Sequence, residues 1–520
     1  RLGRRAYSHL TFRQLNRLAD EYAHGLERAG VQRGSRALLM VRPGLDFIAL
    51  TSSLFKIGAI PVLIDPGMGW RSFRACVAHV QPEAFLGIPA AHVLRLLFRR
   101  SFSSIRVPVT LGRRLGWGGA SLADLRGDDR PFPLASTDAD ETAAILFTTG
   151  STGPAKGVVY THGIFDQQVR LIRDTYAIGP DDTDLPCFPL FALFSTALGM
   201  TAVIPDMDPT RPAAVDPECI VEAVRDHGVT FSFGSPALWD RVSRYCDEND
   251  VRLPSLRKVL MAGAPVPGSL HRRMLSRVLP EGGDVHVPYG ATESLPVATF
   301  TGTEMLRDTD EAARAGAGIC VGRPLPGVEI DIIRIRDDAI RTWEEAEPLP
   351  PGEIGEIVVK GPIVTPRYDN LPEHTARAKI ADGGAVRHRM GDVGYVDSRG
   401  RLWFCGRKSH RVRTEETTLF TVCCEAVFNE HPAVFRTALV GVGEPPRTPV
   451  LVVEPAERGT MRNRAAQERL RRELLDMAAR SDGTREIRTV LFHPGFPVDI
   501  RHNAKIRREE LSKWAAARLA

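Results

Sequence analysis

The strongest constraint on the fold is the alternation of helical and strand-like patterns across residues 11–64. Thr11–Ala29 carries Phe12, Leu15, Leu18, Ala19, Tyr22 and Leu26 at helical spacing, with Thr11 placed to cap the helix. Arg36–Val41 is a short apolar run, Phe47–Ile57 is helical again, and Ala59–Ile64 is a second apolar run. Strands apolar at every position, rather than at alternate ones, are buried on both faces, which predicts a parallel sheet covered by helices on each side. The same alternation recurs around Val229–Phe233 and Lys258–Ala262, so the expected class is α/β.

Near Pro324 the texture changes. Gly327–Ile335, Glu353–Lys360 and Val393–Cys405 read as short strands joined by Gly, Pro and Asp turns, predicting a β-rich subdomain over about 320–406. Beyond Gly406, a helix at Arg464–Ser481 precedes a strand at Ile487–Phe492, which predicts a small α+β C-terminal domain. At 520 residues the chain is too long for one core. The expected division is a large N-terminal domain, 1–406, and a small one, 407–520, with the boundary near Arg407–His410.

Bulk properties exclude several functions. Sixty-eight basic against 63 acidic residues leave a net charge of +5, too little over this length for a nucleic-acid footprint. The eight cysteines form no C-x-x-C pair and no zinc spacing with histidine, so a reducing, cytoplasmic setting is expected. No run reaches the roughly 18 apolar residues of a membrane span; Phe191–Pro205 comes nearest. Because the chain begins with Arg1 rather than Met, the lack of a signal-peptide pattern carries little weight. Ala91–Val107 mixes Leu and Phe with arginines and reads either as an ordinary surface helix or as a segment touching a membrane surface or lipid.

The chemistry is concentrated in Phe147–Gly157, F-T-T-G-S-T-G-P-A-K-G, which follows the apolar strand Ala143–Phe147. Gly150 and Gly153 let the backbone approach a polyanion. The hydroxyls of Thr148, Thr149, Ser151 and Thr152 donate to phosphate oxygens, and Lys156 adds positive charge. The string is not the G-x-x-x-x-G-K-[ST] loop, because Gly157 follows the lysine. A turn built from Gly, Ser and Thr explains some of these residues but not the whole string after a buried strand.

This loop resembles the signature of the adenylate-forming superfamily of acyl-CoA synthetases, luciferases and peptide-synthetase adenylation domains, where it holds the β- and γ-phosphates of ATP. Further motifs follow in the family's order. Gly263-Ala264-Pro265 resembles the loop lining the adenine. Tyr289-Gly290-Ala291-Thr292-Glu293 resembles Y-G-x-T-E, whose ring packs near adenine, whose Thr meets the α-phosphate and whose Glu ligates Mg²⁺. Asp392 in M-G-D-V-G-Y matches the ribose-binding Asp, and Arg407 the hinge Arg that reaches the nucleotide. Lys505 in His502-Asn503-Ala504-Lys505 matches the lysine that bridges the acid and the α-phosphate. Taken singly, Glu293 and Asp392 read equally well as a surface carboxylate and a turn residue, and Lys505 as part of a solvated basic tail. The resemblance implies ATP and Mg²⁺ as cofactors, catalysis by Lys505, Thr292, Glu293 and Lys156, and a mobile C-terminal domain.

Two stretches depart from the family. In Gly406–Glu416, Ser409 replaces the hinge Asp, and Glu416 stands where a glycine lines the pantetheine tunnel, so coenzyme A is not expected. In Phe188–Phe194, Ala192 replaces a gating His; Phe191, Ala192, Leu193 and Phe194, with His162, form the expected acyl pocket, although core packing accounts for the same apolar residues. His162 and His410 are candidates for a base. The stretches F-T-T-G-S-T-G-P-A-K-G-V-V-Y-T-H-G, G-R-K-S-H-R-V and H-P-G-F-P-V-D-I-R-H-N-A-K-I resemble the olefin-biosynthesis β-lactone synthetases. That resemblance implies a long-chain 2-alkyl-3-hydroxy acid as substrate, closed to a β-lactone through its acyl-AMP. It also implies association with a thiolase, a reductase and a β-lactone decarboxylase. An ordinary acyl-CoA ligase, a fatty acyl-AMP ligase and a nucleotide-binding homologue without catalysis are the other readings.

Overall fold

In the computed structural model, which describes residues 6–148, 155–188, 190–498 and 506–519, α1 (Phe12–Arg28) starts where its spacing predicts. The Thr11 hydroxyl accepts from the Gln14 amide at 3.2 Å, and the Gln14 side chain accepts from the Thr11 amide at 2.8 Å, a reciprocal capping box. Leu18, Ala19, Tyr22 and Leu26 are buried along the apolar face. The chain forms two units, Arg1–Val169 with Thr365–Thr375, and Arg170–Val364 with Ala376–Ala520.

In the first unit, β1 (Arg36–Met40), β2 (Ile60–Leu63), β3 (Ala84–Gly87), β4 (Val107–Thr110), β5 (Ala120–Ser121), β6 (Thr142–Phe147) and β7 (Gly157–Thr161) form a sheet in the order β5-β4-β3-β1-β2-β6-β7. All neighbours are parallel except β6 and β7, which form a hairpin, so the predicted parallel sheet carries one reversed edge. The crossovers are α2 (Leu45–Ile57), α3 (Trp70–Val80) and α4 (Pro89–Leu97). The step from β1 to β2 runs opposite to the steps from β2 to β3 and from β3 to β4. Right-handed crossovers therefore put α3 and α4 on the same face of the sheet and α2 on the other. Helix α5 (His162–Tyr176) follows β7.

The second unit opens with parallel strands β8 (Thr183–Pro186), β9 (Thr201–Ala202), β10 (Phe231–Gly234), β11 (Lys258–Met261) and β12 (Asp284–Ala291), in the order β9-β8-β10-β11-β12. From β12 the sheet turns antiparallel through β13 (Ser294–Thr301), β14 (Ile319–Pro324), β15 (Glu329–Ile333), β16 (Gly355–Lys360), β17 (Lys379–Asp382), β18 (Ala385–Val396) and β19 (Leu402–Arg407). Strands β15 to β18 fall within the stretch, about 320–406, where a β-rich subdomain is expected, and the antiparallel run starts earlier, at Ser294. Val393–Cys405, read as one strand, is instead the end of β18 and most of β19. Asp397 breaks it by accepting from the amides of Arg399 and Arg401 at 2.9 Å, a side-chain turn that outcompetes the ladder.

The C-terminal segment has its own sheet and core. After the hairpin β20 (Val412–Arg413) and β21 (Thr418–Leu419), strands β22 (Val434–Val442), β23 (Thr448–Pro455) and β24 (Thr489–Phe492) pair in that order. The helices Thr421–Asn429, Arg464–Ala479 and Arg508–Leu519 flank them. Val450, Leu451, Val452 and Val453 are fully buried, each contributing about 1.5–3 kcal/mol by removal from water. This separate sheet is the ground for proposing a domain of its own from 407 onward.

Candidate active site

In an open α/β sheet, ligands sit beyond the carboxyl ends of the parallel strands. In the second unit, Gly263-Ala264-Pro265 lies past the end of β11, and Thr292-Glu293 is the two-residue turn from β12 into β13. Gly263 has φ +91°, a left-handed conformation that suits glycine. A Cβ on Gly290 would fall 2.7 Å from the Ser294 carbonyl oxygen, so this hairpin closes only around a glycine. The motif's spacing is therefore set by backbone sterics as well as by chemistry.

Tyr289, Asp392 and Arg407 come together from β12, β18 and β19. The Tyr289 hydroxyl donates to Asp392 Oδ2 at 2.7 Å, and Arg407 Nη1 donates to Oδ1 at 2.6 Å. Asp392 and Arg407 are direct partners in the β18–β19 register. Burial raises the Asp392 carboxyl above the usual carboxylate range, an effect opposed by Arg407 and by the tyrosine's hydrogen bond. Asp392 in turn raises the Arg407 guanidinium and keeps it charged. Each carboxylate oxygen retains a second acceptor position, so the pair can still receive two vicinal hydroxyls.

Glu293 contributes its field to both Asp392 and Arg407, and it faces a residue that the sequence did not single out. Lys379, on β17, is buried, and burial lowers its ammonium to about 7 against the opposing pull of Glu293. Among the described residues no three His, Cys, Asp or Glu side chains gather as a metal site. A lone carboxylate at Glu293 suits Mg²⁺, which takes one or two carboxylates and completes its shell with phosphate oxygens and water.

In the first unit, β6 and β7 lead into and out of the candidate phosphate loop, and the Thr148 amide donates to the Lys156 carbonyl at 3.1 Å. Thr149, Gly150, Ser151, Thr152 and Gly153 lie outside the described residues, as does Lys505. Lys156 Nζ sits 4.9 Å from the centroid of the Tyr368 ring, a cation–π contact that aims the ammonium. Tyr368 bridges Val158, and the Asp369 amide donates to the Gly157 carbonyl at 2.7 Å. Arg36 clamps the Asp369 carboxylate at 2.9 and 3.0 Å. Sequence reasoning missed Tyr368, because nothing local to R-Y-D-N links it to a lysine more than two hundred residues earlier. His162 starts α5, at the opposite end of β7 from Gly157; five residues of strand put it about 17 Å away. Its neighbours are Glu141 and the Phe55 ring, so the structure does not bring it to Thr148 and Lys156.

The AMP-binding enzyme family model matches residues 3–369. The chain is 50% identical to the olefin beta-lactone synthetase of Stenotrophomonas maltophilia (strain K279a) over 518 residues, covering 98% of this chain and 92% of that protein. The chain belongs to the AMP-binding enzymes. A second olefin beta-lactone synthetase, from Xanthomonas campestris pv. campestris, is 47% identical over 98% of this chain and 91% of its own length. Among solved structures, the amide bond synthetase McbA of Marinactinospora thermotolerans superposes with a TM-score of 0.80 at 24% identity, covering 97% of this chain and 95% of its own. ATP-bound MatB of Rhodopseudomonas palustris gives 0.78 at 20% identity, covering 99% and 95%. At these identities the structural likeness concerns the fold.

As an AMP-binding enzyme the chain has distinctive details past Arg407. Lys408 Nζ lies 2.9 Å from Glu356 Oε1, and Arg389 donates to both oxygens of the same carboxylate at 3.1 and 2.7 Å. Glu356 and Arg389 are almost wholly buried, so this triad ties the start of the C-terminal segment to β16 and β18. Ser409 lies in the short turn Lys408–His410, and His410 meets Glu509 at 3.3 Å. Burial, with the nearby Arg508 charge, holds the His410 imidazole below its ordinary range. Glu416 is exposed in the loop joining β20 and β21. Val498 and Ile506 pair on either side of the segment containing Lys505, and Arg508 anchors the following helix by donating to Glu425 at 2.8 Å. In the expected pocket, Phe191 stacks on Phe233 at 4.3 Å and Ala192 is buried, so both belong to the core. Leu193 and Phe194 are half-buried, and the Phe194 ring lies 5.8 Å from that of Phe191.

Proposed function

We propose that the protein is an ATP-dependent β-lactone synthetase acting on long-chain 2-alkyl-3-hydroxy acids. The observation that carries this reading is identity of 50% and 47%, over 98% of the chain, to two olefin beta-lactone synthetases. In the first step a carboxylate oxygen attacks the α-phosphorus of ATP and pyrophosphate leaves. Lys156, aimed by Tyr368, and Lys505 oppose the charge that builds up there, and Asp392 with Arg407 holds the ribose. Mg²⁺ on Glu293 would neutralise phosphate charge. In the second step the substrate's own 3-hydroxyl oxygen attacks the acyl carbon and its proton passes to the adenylate phosphate, while the acyl–phosphate C–O bond breaks and AMP departs as the four-membered ring closes.

An internal nucleophile needs no thiol channel, since proximity replaces a bound co-substrate. An exposed carboxylate at Glu416, on the hairpin where coenzyme A-dependent relatives of this fold are expected to carry glycine, agrees with that economy. The test is incubation with a 2-alkyl-3-hydroxy acid, ATP and Mg²⁺, with products identified by proton NMR. Lactone and AMP without coenzyme A are expected; a strict requirement for coenzyme A would overturn the reading in favour of a ligase like the 2-succinylbenzoate–CoA ligases, one of which is 28% identical over 83% of this chain. Association with the thiolase, reductase and β-lactone decarboxylase of the same route belongs to this proposal and is tested by co-purification.

A further inference from the structure

Between Asp65 and Asp124 the chain contains eight arginines and a single acidic residue, Glu83. The Glu83 carboxylate accepts from the Ser35 hydroxyl at 3.1 Å. This stretch supplies α3 and α4, which share one face of the first unit's sheet. Four of the chain's exposed large apolar side chains fall in the same stretch: Trp70, Val93, Leu97 and Leu115, with Leu97 at 69% exposure.

The two helices meet through Arg74, whose guanidinium lies 4.2 Å from the Phe98 ring centroid. Trp70 and Arg71 begin α3 one turn before that contact, and Arg99 and Arg100 follow Phe98 directly. Val93 and Leu97, four residues apart, line the outward side of α4. Arg71, Arg74, Arg99 and Arg100 are all exposed, and among the described residues none of them pairs with a carboxylate. Some surface arginines elsewhere in this unit do find one, as Arg17 does with Asp129 and Arg33 with Glu141, while Arg13 and Arg28 do not among the described residues.

The geometry points to a docking face for an anionic lipid bilayer, formed by α3, α4 and the arginines that follow α4. Trp70 and Leu97 enter the headgroup region and the four arginines meet lipid phosphates. Exposed apolar side chains on the two helices, with four exposed arginines on or directly after them that meet no carboxylate among the described residues, match such a surface in both polarity and charge. A nucleic acid would offer the phosphates but nothing for Trp70 and Leu97 to enter. Among the described residues no helix is long and apolar enough to cross a membrane, so the contact is peripheral. The face stands whatever the acid is; its use in passing a two-chained product to a bilayer rests on the lactone reading.

The test is co-sedimentation of the full chain with phosphatidylglycerol and with phosphatidylcholine vesicles, without substrate. Salt-sensitive binding to the anionic vesicles alone is expected. The variant R71Q/R99Q/R100Q, which keeps Arg74 on Phe98, should bind about a hundredfold more weakly, about fivefold per charge removed. W70S/L97S should also weaken binding, and both variants should keep wild-type ATP–pyrophosphate exchange, which shows that they fold. Failure of the wild type to bind anionic vesicles at low salt would overturn the proposal. So would variants that bind as wild type does, or that lose only co-purification with another pathway enzyme, which would make this face a protein interface.

Discussion

Arg407 and Asp392 face each other across adjacent strands, with Nη1 2.6 Å from Oδ1, and Tyr289 occupies the other carboxylate oxygen at 2.7 Å. The strand register alone places them opposite. Asp392→Asn removes the charge that Arg407 needs and is expected to cost about 2–5 kcal/mol, thirtyfold or more in ATP–pyrophosphate exchange. Tyr289→Phe, which removes one hydrogen bond, should cost about 1 kcal/mol. Equal losses in the two variants would show that the ion pair has no special part in holding the nucleotide.

Lys505→Ala should reduce pyrophosphate release by about 10²–10³-fold, the range for losing one preorganised charge at a transition state. Its thermal melt should match the wild type. Retained exchange would mean that another lysine bridges acid and phosphate.

Tyr368→Leu leaves Lys156 without the ring that aims it. A cation–π contact contributes about 0.5–2 kcal/mol, so the KM for ATP should rise about 2–30-fold. Tyr368→Phe should behave like the wild type, because the ring face rather than the hydroxyl meets the ammonium. A similar KM in all three proteins would exclude the positioning role.

Glu356→Ala strands Arg389 and Lys408 without their shared carboxylate. Removing one partner of a buried ion pair costs about 3–5 kcal/mol, and a lower urea midpoint is the measurement. Lys408→Ala should cost less, since the bidentate Arg389–Glu356 pair survives.

His271 is buried, its Nδ1 has no hydrogen-bond partner among the described residues, and burial lowers its pKa to about 4. The folded state keeps the ring neutral, whereas the unfolded chain takes up a proton near pH 6.5. Stability is therefore unaffected by this group above pH 6.5 and falls as pH drops toward 4, by about 3 kcal/mol in all. His271→Leu should flatten that part of the stability profile; an unchanged slope would assign the acid sensitivity to other groups.

Much of this was legible in local pattern. Periodicity alone placed α1, β1, α2 and β2 to within a few residues, since each element's own burial requirement is written into its spacing. The resemblance picked out Tyr289, Asp392 and Arg407 as separate motifs, and their meeting in the structure comes from the pairing of β18 with β19 and the approach of β12. Contacts between distant segments were not legible. Tyr368 under Lys156, Lys379 beside Glu293 and Lys408 against Glu356 depend on which strands become neighbours, and strand order is set by crossover handedness and packing rather than by any local signal. The same holds for the basic face: its arginines and apolar residues were visible along the chain. Only the turn of α3 and α4 onto one side of the sheet gathered them into a surface.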